Sequence, residues 1–348
     1  MNNRLCFISR NYRGVESSGN KAKTDNEQTL RQMGAKNLGL PTTYYNNKVV
    51  TFFLDLAGIV KMMLTVRPGD VILLQYPVKK YFSFICNVAH CRKAKVVALI
   101  HDLGSMRRKK LTVKKEISRL MHADEVIASN ETMAEWLRSN GYEHPLGALG
   151  LFDYRSKALT PPAGKQMPLV PTLVYAGALA MRKNAFLLKM DGREMSYKLD
   201  IYGNKEGLPG IKESEYVSIH GFMPAEEFIA HVPGDFGFVW DGDSMDSCTG
   251  DFGEYLRWNS PHKVSFYLRA GLPVIIWREA ALAPMIEREG IGLAIGSIAE
   301  LNELLAQITP EQMWQMRENV QRVSRKLATG GFLQAALSET ELLKEGKA

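Results

Sequence analysis

Short runs that stay apolar at every position recur along this chain, and they constrain its fold more than any other feature. "RLCFIS" opens the series, and "DVILLQYP", "KVVALIHD" and "DEVIASN" follow. A strand with one wet face alternates apolar and polar residues. A strand buried on both faces does not, and that happens where crossover helices cover a parallel sheet. Between the runs lie segments of helical texture such as "ETMAEWLRSNG", which closes on glycine. The series predicts an α/β domain with a parallel sheet and helices on both faces.

The series stops at "SKALTPPAGKQMPLVPT", a proline-rich stretch without periodicity. It then restarts with "LVYAGAL", "KLDIYGN", "YVSIHGF", "FGFVWDG", "LPVIIW" and "GLAIGS". The chain of 348 residues therefore reads as two Rossmann-like domains. The first is expected over 1–155 and the second over 173–325, with a linker over 156–172. A helical tail over 326–348 is expected to pack back on the first domain. Open α/β sheets bind ligands beyond the carboxyl ends of their strands, and the cleft between two such domains is the natural site.

Composition removes several classes. Lys and Arg exceed Asp and Glu by seven, which suits an acidic ligand or an anionic surface but is also common in ordinary soluble proteins. The four cysteines form no CxxC pair and no His/Cys metal spacing, so they read as reduced thiols, mostly buried. The longest apolar stretch, "VVTFFLDLAGIVKMMLTV", carries Asp55 and Lys61 and reads as a half-buried helix rather than a membrane span. No signal peptide is read at the N-terminus, and a cytoplasmic protein is expected. No GxGxxG follows a strand, which counts against a nicotinamide oxidoreductase. A nucleic-acid partner is not expected.

The stretch "NSPHKVSFYLRAGLPVII" carries the sharpest local signal. Ser260 stands where an N-cap belongs, Pro261 at the first helical position, and Gly271 with Pro273 at the stop. His262 and Lys263 then fall in the first turn, beside the positive pole of the helix dipole. Basic residues gain nothing structurally there, but an anion would be held by free N–H groups, the dipole and an ammonium together. Asn259 precedes this cap. Further candidates follow other strands. Gly177 lets backbone approach a ligand, and Arg182 with Lys183 can complete a pyrophosphate clamp or simply be surface charge. Tyr202 and Gly203, and the Gly221-Phe222-Met223 backbone, are placed to flank a base; plain turn chemistry is the alternative. Asp241 and Asp243 resemble a DxD metal motif, but Asp and Gly crowd any tight turn. Trp240, Asp241 and Tyr255 are expected to line a sugar pocket instead. His101 and Asp102 end a first-domain strand, where a catalytic base is useful. The basic segment after them, Arg107 to Leu120, interleaves Leu111, Val113, Ile117 and Leu120, a pattern that suits an anionic membrane surface or a solvated face. Ser18, Gly19 and Asn20 lie in a small-residue loop after the first strand.

These motifs together resemble the bacterial GT-B glycosyltransferases, and among them the β-1,6-galactofuranosyltransferase and glucosyltransferase-3-like family. "SSGNKAKTD", "IHDLGSMR", "YAGAL", "VWDG" and above all "NSPHKVSFYLRAGLPVI" carry the resemblance, which spans nearly the whole chain. It implies a UDP-sugar donor held mainly by the second domain and a glycan or lipid-linked glycan acceptor held mainly by the first. It implies that Asn259 and Lys263 contact the diphosphate with help from Arg182, that Tyr202 and Phe222 flank the uridine, and that Ser18, Gly19 and Asn20 approach the donor. No metal and no cofactor is implied. The chain lacks the Glu-x7-Glu pattern of many retaining relatives, which favours inversion and so a general base, with Asp102 expected ahead of His101. Galactofuranose is the expected sugar. UDP-glucose or UDP-galactopyranose transfer, or a non-catalytic nucleotide-sugar-binding subunit, stay open at this point, as do a homo-oligomer and peripheral contact with the inner face of the membrane.

Overall fold

A computed structural model describes residues 3–13, 18–78, 81–107, 111–164, 168–190, 192–231 and 234–344. The chain divides into two units, Met1–Tyr154 with Thr329–Ala348, and Arg155–Ala328.

In the first unit, strands β1 (Arg4–Phe7), β2 (Lys36–Asn37), β3 (Asp70–Tyr76), β4 (Lys95–Ile100), β5 (Glu125–Ala128) and β6 (Leu146–Ala148) form one sheet in the order β2-β1-β3-β4-β5-β6. Every neighbouring pair is parallel. The apolar runs are its central strands: Val71 to Leu74, Val96 to Ile100 and Val126 to Ala128 are all buried. Register is pinned at one edge by charge. Arg4 lies opposite Asp70, and its guanidinium donates to both carboxylate oxygens at 2.7 and 2.8 Å.

In the second unit, β7 (Thr172–Ala176), β8 (Lys198–Tyr202), β9 (Val217–Ile219), β10 (Phe236–Val239), β11 (Val274–Trp277) and β12 (Gly292–Ile295) form a parallel sheet in the order β12-β11-β10-β7-β8-β9. This is the strand order of the dinucleotide-binding Rossmann domain, in which the winding reverses between the first and fourth strands. The crevice of this unit therefore opens beyond the carboxyl ends of β7 and β10.

The proline-rich stretch is part of the second unit and is strapped onto it, unlike the separate linker its composition suggests. Prolines lack N–H groups, so the strap bonds largely through its carbonyls and side chains. Gln321 donates to the Pro161 carbonyl at 2.6 Å, Arg269 to the Ala158 carbonyl at 2.6 Å, and the Thr160 hydroxyl to the Arg269 carbonyl at 2.7 Å. The long helix Pro310–Thr329 ends at the unit boundary, and the helices Gly331–Glu339 and Glu341–Lys344 belong to the first unit.

Two expectations about loops need correction. Gly19 and Asn20 are not loop residues but the first turn of a helix, Ser18–Gln32. That helix is drawn onto the sheet by the buried Glu27 carboxylate, which accepts from Tyr12 Oη at 2.5 Å and Ser9 Oγ at 2.7 Å. Glu16, Ser17 and the Ser18 side chain lie outside the described residues. In the basic segment, the helix Val113–Leu120 turns Ile117 and Leu120 into the core. Its buried Glu116 accepts from Tyr76 Oη and from the N–H groups of Gly104 and Ser105 at 2.7–2.8 Å. Ile117 and Leu120 of the membrane pattern are thus used internally, whereas Val113 is exposed and Leu111 half-buried; Arg108, Lys109 and Lys110 lie outside the described residues. Among the described residues no helix is long and apolar enough to cross a membrane.

Two buried carboxylates anchor the tail, and one of them, Glu125, accepts from the N–H groups of Glu341 and Leu342 at 3.2 and 3.4 Å. Asp153, fully buried, accepts from the N–H groups of Phe332 and Leu333 at 3.0 and 2.8 Å, capping the helix Gly331–Glu339, whose own N-cap is a glycine. Asp153→Ala leaves those donors buried and unsatisfied. It should destabilise the first unit by about 1–3 kcal/mol, with Asp153→Asn intermediate, as read from the urea midpoint.

Candidate functional site

The crevice of the second sheet is built by residues that each have a local reason to be there. β7 ends at Ala176, and Gly177 turns the chain with φ +139°, a value that side-chain-bearing residues rarely adopt. Its N–H donates to the Tyr202 carbonyl at 2.9 Å. Gly203 permits this approach, since a Cβ there would lie 2.4 Å from the Gly177 carbonyl. The following short helix, Met181–Asn184, is tied inward by Asn184. Its Oδ1 accepts from the Ala180 N–H at 2.9 Å, and its Nδ2 donates to the buried Tyr175 hydroxyl. The loop after β10 is laced to the same helix: Gly242 N–H donates to the Lys183 carbonyl at 2.7 Å.

These connections bring three charges together around one aromatic ring. Asp241, the second residue after β10, presents Oδ1 to Lys263 Nζ at 3.8 Å and Oδ2 to Lys183 Nζ at 3.7 Å. Lys263 Nζ also stands 3.7 Å from the Tyr175 ring centroid, a cation–π contact. The Tyr175 hydroxyl reaches Asp241 Oδ1 at 3.2 Å. Burial first, and then repulsion from Lys183, push the Lys263 ammonium down to about 7 against the opposing pull of Asp241. Two lysines thus share one carboxylate.

The helix that carries Lys263 starts one residue later than its sequence suggests. It spans His262–Arg269, and Pro261, not Ser260, occupies the N-cap position with φ −66° and ψ 125°. Ser260 is buried just before it. Pro261 has no polar side chain with which to cap this end, and His262 and Lys263 stand in the first turn. Next to it, Asn259 Oδ1 is buried with no hydrogen-bond partner. Gly271 follows the helix with φ +89°.

Other expected residues are placed differently. Arg182 is exposed and lies over the Phe252 ring at 5.0 Å. Tyr202 offers no open face for a base: it is buried, stacked on His220 at 4.7 Å, with Phe228 edge-on at 5.3 Å. Phe222 is the aromatic that stands clear, 70% exposed, with Met223 beside it half-buried. Trp240 and Tyr255 do not line a sugar pocket, because both are buried. Apolar burial claims large rings close to a strand end; Trp240 stacks on Phe238 and donates Nε1–H to the Ser244 carbonyl. Asp241 alone of that trio faces the crevice. The two carboxylates of the DxD pattern have separate commitments, Asp241 to the lysines and Asp243 Oδ1 to Thr249 Oγ1 at 2.5 Å. Among the described residues no three His, Cys, Asp or Glu side chains gather as a metal site.

In the first unit, His101 and Asp102 follow β4. His101 stacks on Phe152 at 4.7 Å, and its Nε2 meets Gln75 Oε1 at 2.9 Å. Gln75 donates its amide to the Lys23 carbonyl at 3.1 Å and accepts from Asn26 Nδ2 at 3.0 Å, so its Oε1 must be the acceptor toward His101. That assignment puts the proton of neutral His101 on Nε2. Asp102 is ion-paired with Arg107. Sequence reading missed Gln75 and Tyr175. Gln75 had a signal, a lone amide inside an apolar strand; Tyr175 had none, since it reads as one more core residue.

Comparison with known proteins follows the same division of the chain. Residues 5–151 match the glucosyltransferase 3-like N-terminal domain family, and residues 173–340 match the glucosyltransferase 3-like C-terminal domain family. The chain is 33% identical over 278 residues to the beta-1,6-galactofuranosyltransferase WbbI of Escherichia coli (strain K12), covering 78% of each protein. It is 24% identical over 295 residues to glucosyltransferase 3 of Streptococcus gordonii, covering 79% of this chain and 80% of that one. The fold is similar to the solved apo form of the lipopolysaccharide outer core galactosyltransferase WaaB, with TM-score 0.59 at 13% identity over 97% of this chain and 100% of that one. The paired Rossmann-like sheets and the matches across both place this chain in the glucosyltransferase 3-like family of GT-B glycosyltransferases.

Proposed function

We propose that this glycosyltransferase moves a hexose, galactofuranose, from a UDP-sugar to a glycan acceptor in cell-surface polysaccharide synthesis, with inversion and without a metal. One observation carries the donor assignment: Lys183 and Lys263 share Asp241 at the winding reversal of the second sheet, with one lysine in the first turn of an uncapped helix. A diphosphate supplies the negative charge that this arrangement lacks. Asn259 Oδ1, buried without a donor, suits a hydroxyl or imide N–H of the nucleotide sugar. Galactofuranose is chosen over glucose because the relative named for galactofuranosyl transfer is 33% identical and the one named for glucosyl transfer 24%.

The chemistry follows from where charge develops. As the glycosidic bond breaks, negative charge grows on the diphosphate, and the lysines and helix N–H groups stabilise it more in the transition state than in the ground state. Metal is unnecessary to this reading because cationic side chains perform the neutralisation. The acceptor hydroxyl gives up its proton to a first-unit base, assigned to Asp102 with His101 beside it. Gln75 holds the His101 ring in one tautomer and orientation.

Four outcomes test the reading. Lys263→Ala should weaken UDP binding by about 10- to 100-fold, the loss of a charge-assisted contact, measured by calorimetry, with the fold intact by circular dichroism. The depressed lysine adds a pH sign. Below about 7 the ammonium is already charged in the free protein, and above it the protein must take up a proton to bind the anion. UDP affinity should therefore fall as pH rises from 7 to 9, with proton uptake visible as buffer-dependent binding heat, and Lys263→Ala should flatten both. Turnover of UDP-galactofuranose should be unchanged by EDTA; loss that Mn²⁺ or Mg²⁺ restores would return Asp241 and Asp243 to a metal role. Asp102→Asn should lower turnover by about 10²- to 10⁴-fold while leaving UDP affinity alone; near-normal turnover in that variant and in His101→Ala would place the base elsewhere.

A further inference from the structure

Tyr175 is a fully buried ring in the core of the second sheet, yet its ring face and its hydroxyl are both committed to charged partners. The ring centroid lies 3.7 Å from Lys263 Nζ. The hydroxyl stands 3.2 Å from Asp241 Oδ1 and 3.3 Å from the Trp240 carbonyl. The direction of these bonds is fixed. Asn184 Oδ1 accepts from the Ala180 N–H, so its amide Nδ2 is the end that donates to the phenol oxygen. The phenol hydrogen is then left to Asp241 or the Trp240 carbonyl, and the carboxylate is the stronger acceptor. Burial first, and then the Asp241 charge, hold the phenol well above its usual pKa, so that hydrogen stays in place through the neutral range.

The result is an ion pair that does not close. Lys263 Nζ and Asp241 Oδ1 are 3.8 Å apart, and Lys183 Nζ and Asp241 Oδ2 are 3.7 Å apart. A charge-assisted hydrogen bond between such groups measures about 2.7–2.9 Å. Other buried carboxylates of this protein do close on their cations: Asp70 on Arg4 at 2.7 Å, Asp25 on Lys21 at 2.6 Å and Asp235 on Arg317 at 2.6 Å. Lys263 and Asp241 are both largely buried, where leaving opposite charges apart is unfavourable unless something holds each of them. What differs here is that a single side chain holds both partners, the cation on its ring and the anion on its hydroxyl.

We propose that Tyr175 is a positioning residue for the donor: its ring and hydroxyl keep Lys263 and Asp241 from closing on each other, so that the ammonium stays available to the diphosphate. This rests on the reading of Lys263 as a diphosphate ligand. The groups that face the ammonium are Lys183 from the short helix, Asp241 and Cys248 from the loop after β10, and the Tyr175 ring from β7; His262 adjoins it on its own helix. Burial keeps the Cys248 thiol neutral. Tyr175→Phe retains the ring and removes the hydroxyl, and Asp241 should then close on Lys263. Two readouts follow. In the full chain with ¹³C-labelled lysine and no nucleotide, the Lys263 resonance, assigned by its absence in Lys263→Ala, should titrate about one pH unit or more above the wild type. UDP affinity at pH 7 should fall about 10-fold by calorimetry, because the diphosphate must first displace the carboxylate, and its decline with rising pH should begin correspondingly higher. Asp241→Glu, whose longer arm reaches past the hydroxyl, should produce both changes with Tyr175 intact, which covers the case of a Tyr175→Phe chain that does not fold. In an Asp241→Asn background, where no carboxylate is left to close on the lysine, the effect of Tyr175→Phe should disappear. A role confined to packing predicts the same loss in both backgrounds and an unmoved Lys263 titration. Either result overturns the proposal, as do wild-type titration and affinity in Tyr175→Phe or in Asp241→Glu. UDP binding that ignores Lys263→Ala would overturn the diphosphate reading and this proposal with it; binding that needs Lys263 but ignores Tyr175 overturns the proposal alone.

Discussion

A strand buried on both faces has almost nowhere to keep a polar side chain except at its ends. Both sheets obey this constraint, and the chemistry of the protein is arranged by it. The interiors of β3, β4, β10 and β11 are nearly all apolar. Titratable groups collect past their carboxyl ends: His101 and Asp102 after β4, Asp241 after β10. The exceptions are informative. Tyr175 in β7 reaches the same end through its hydroxyl, which meets Asp241 and Asn184. Gln75, next to last in β3, reaches His101.

The charge balance in the second crevice is unusual for a resting protein. Buried ion pairs normally match donor to acceptor, because an unpaired charge out of water is expensive. Here one carboxylate faces two ammonium groups, both at distances beyond a good hydrogen bond. Burial first, and the neighbouring Lys183 charge second, depress the protonation of Lys263. Rigid neighbours maintain it: the Tyr175 ring below, the short helix held by Asn184, and the helix start fixed by Pro261. An anion arriving there, as proposed, would find groups already positioned and partly desolvated. The same reasoning separates it from the Glu27 network in the first unit. That carboxylate is satisfied by Tyr12, Ser9, Thr42 and Arg31 and so stabilises its loop.

The sequence by itself determined the two parallel α/β layers, because uninterrupted apolar runs admit no other economical burial. It also determined a helix from about Pro261 to Ala270, found over His262–Arg269, and the lysine in its first turn, since proline and glycine act locally on φ. Tertiary structure decided what distance along the chain conceals. Nothing in "LVYAGAL" says that Tyr175 will lie under a lysine 88 positions later. Nothing in "VWDG" says that Trp240 packs among rings while Asp241, its equally buried neighbour, meets two lysines; only tertiary packing assigns those partners. The cap at Ser260 moved by one residue because its neighbours bury it. The small-residue loop became a helix because Glu27 found partners on the far side of the sheet's edge. Local propensity fixes what an element is, whereas long-range burial and charge pairing fix which of its residues reach the site.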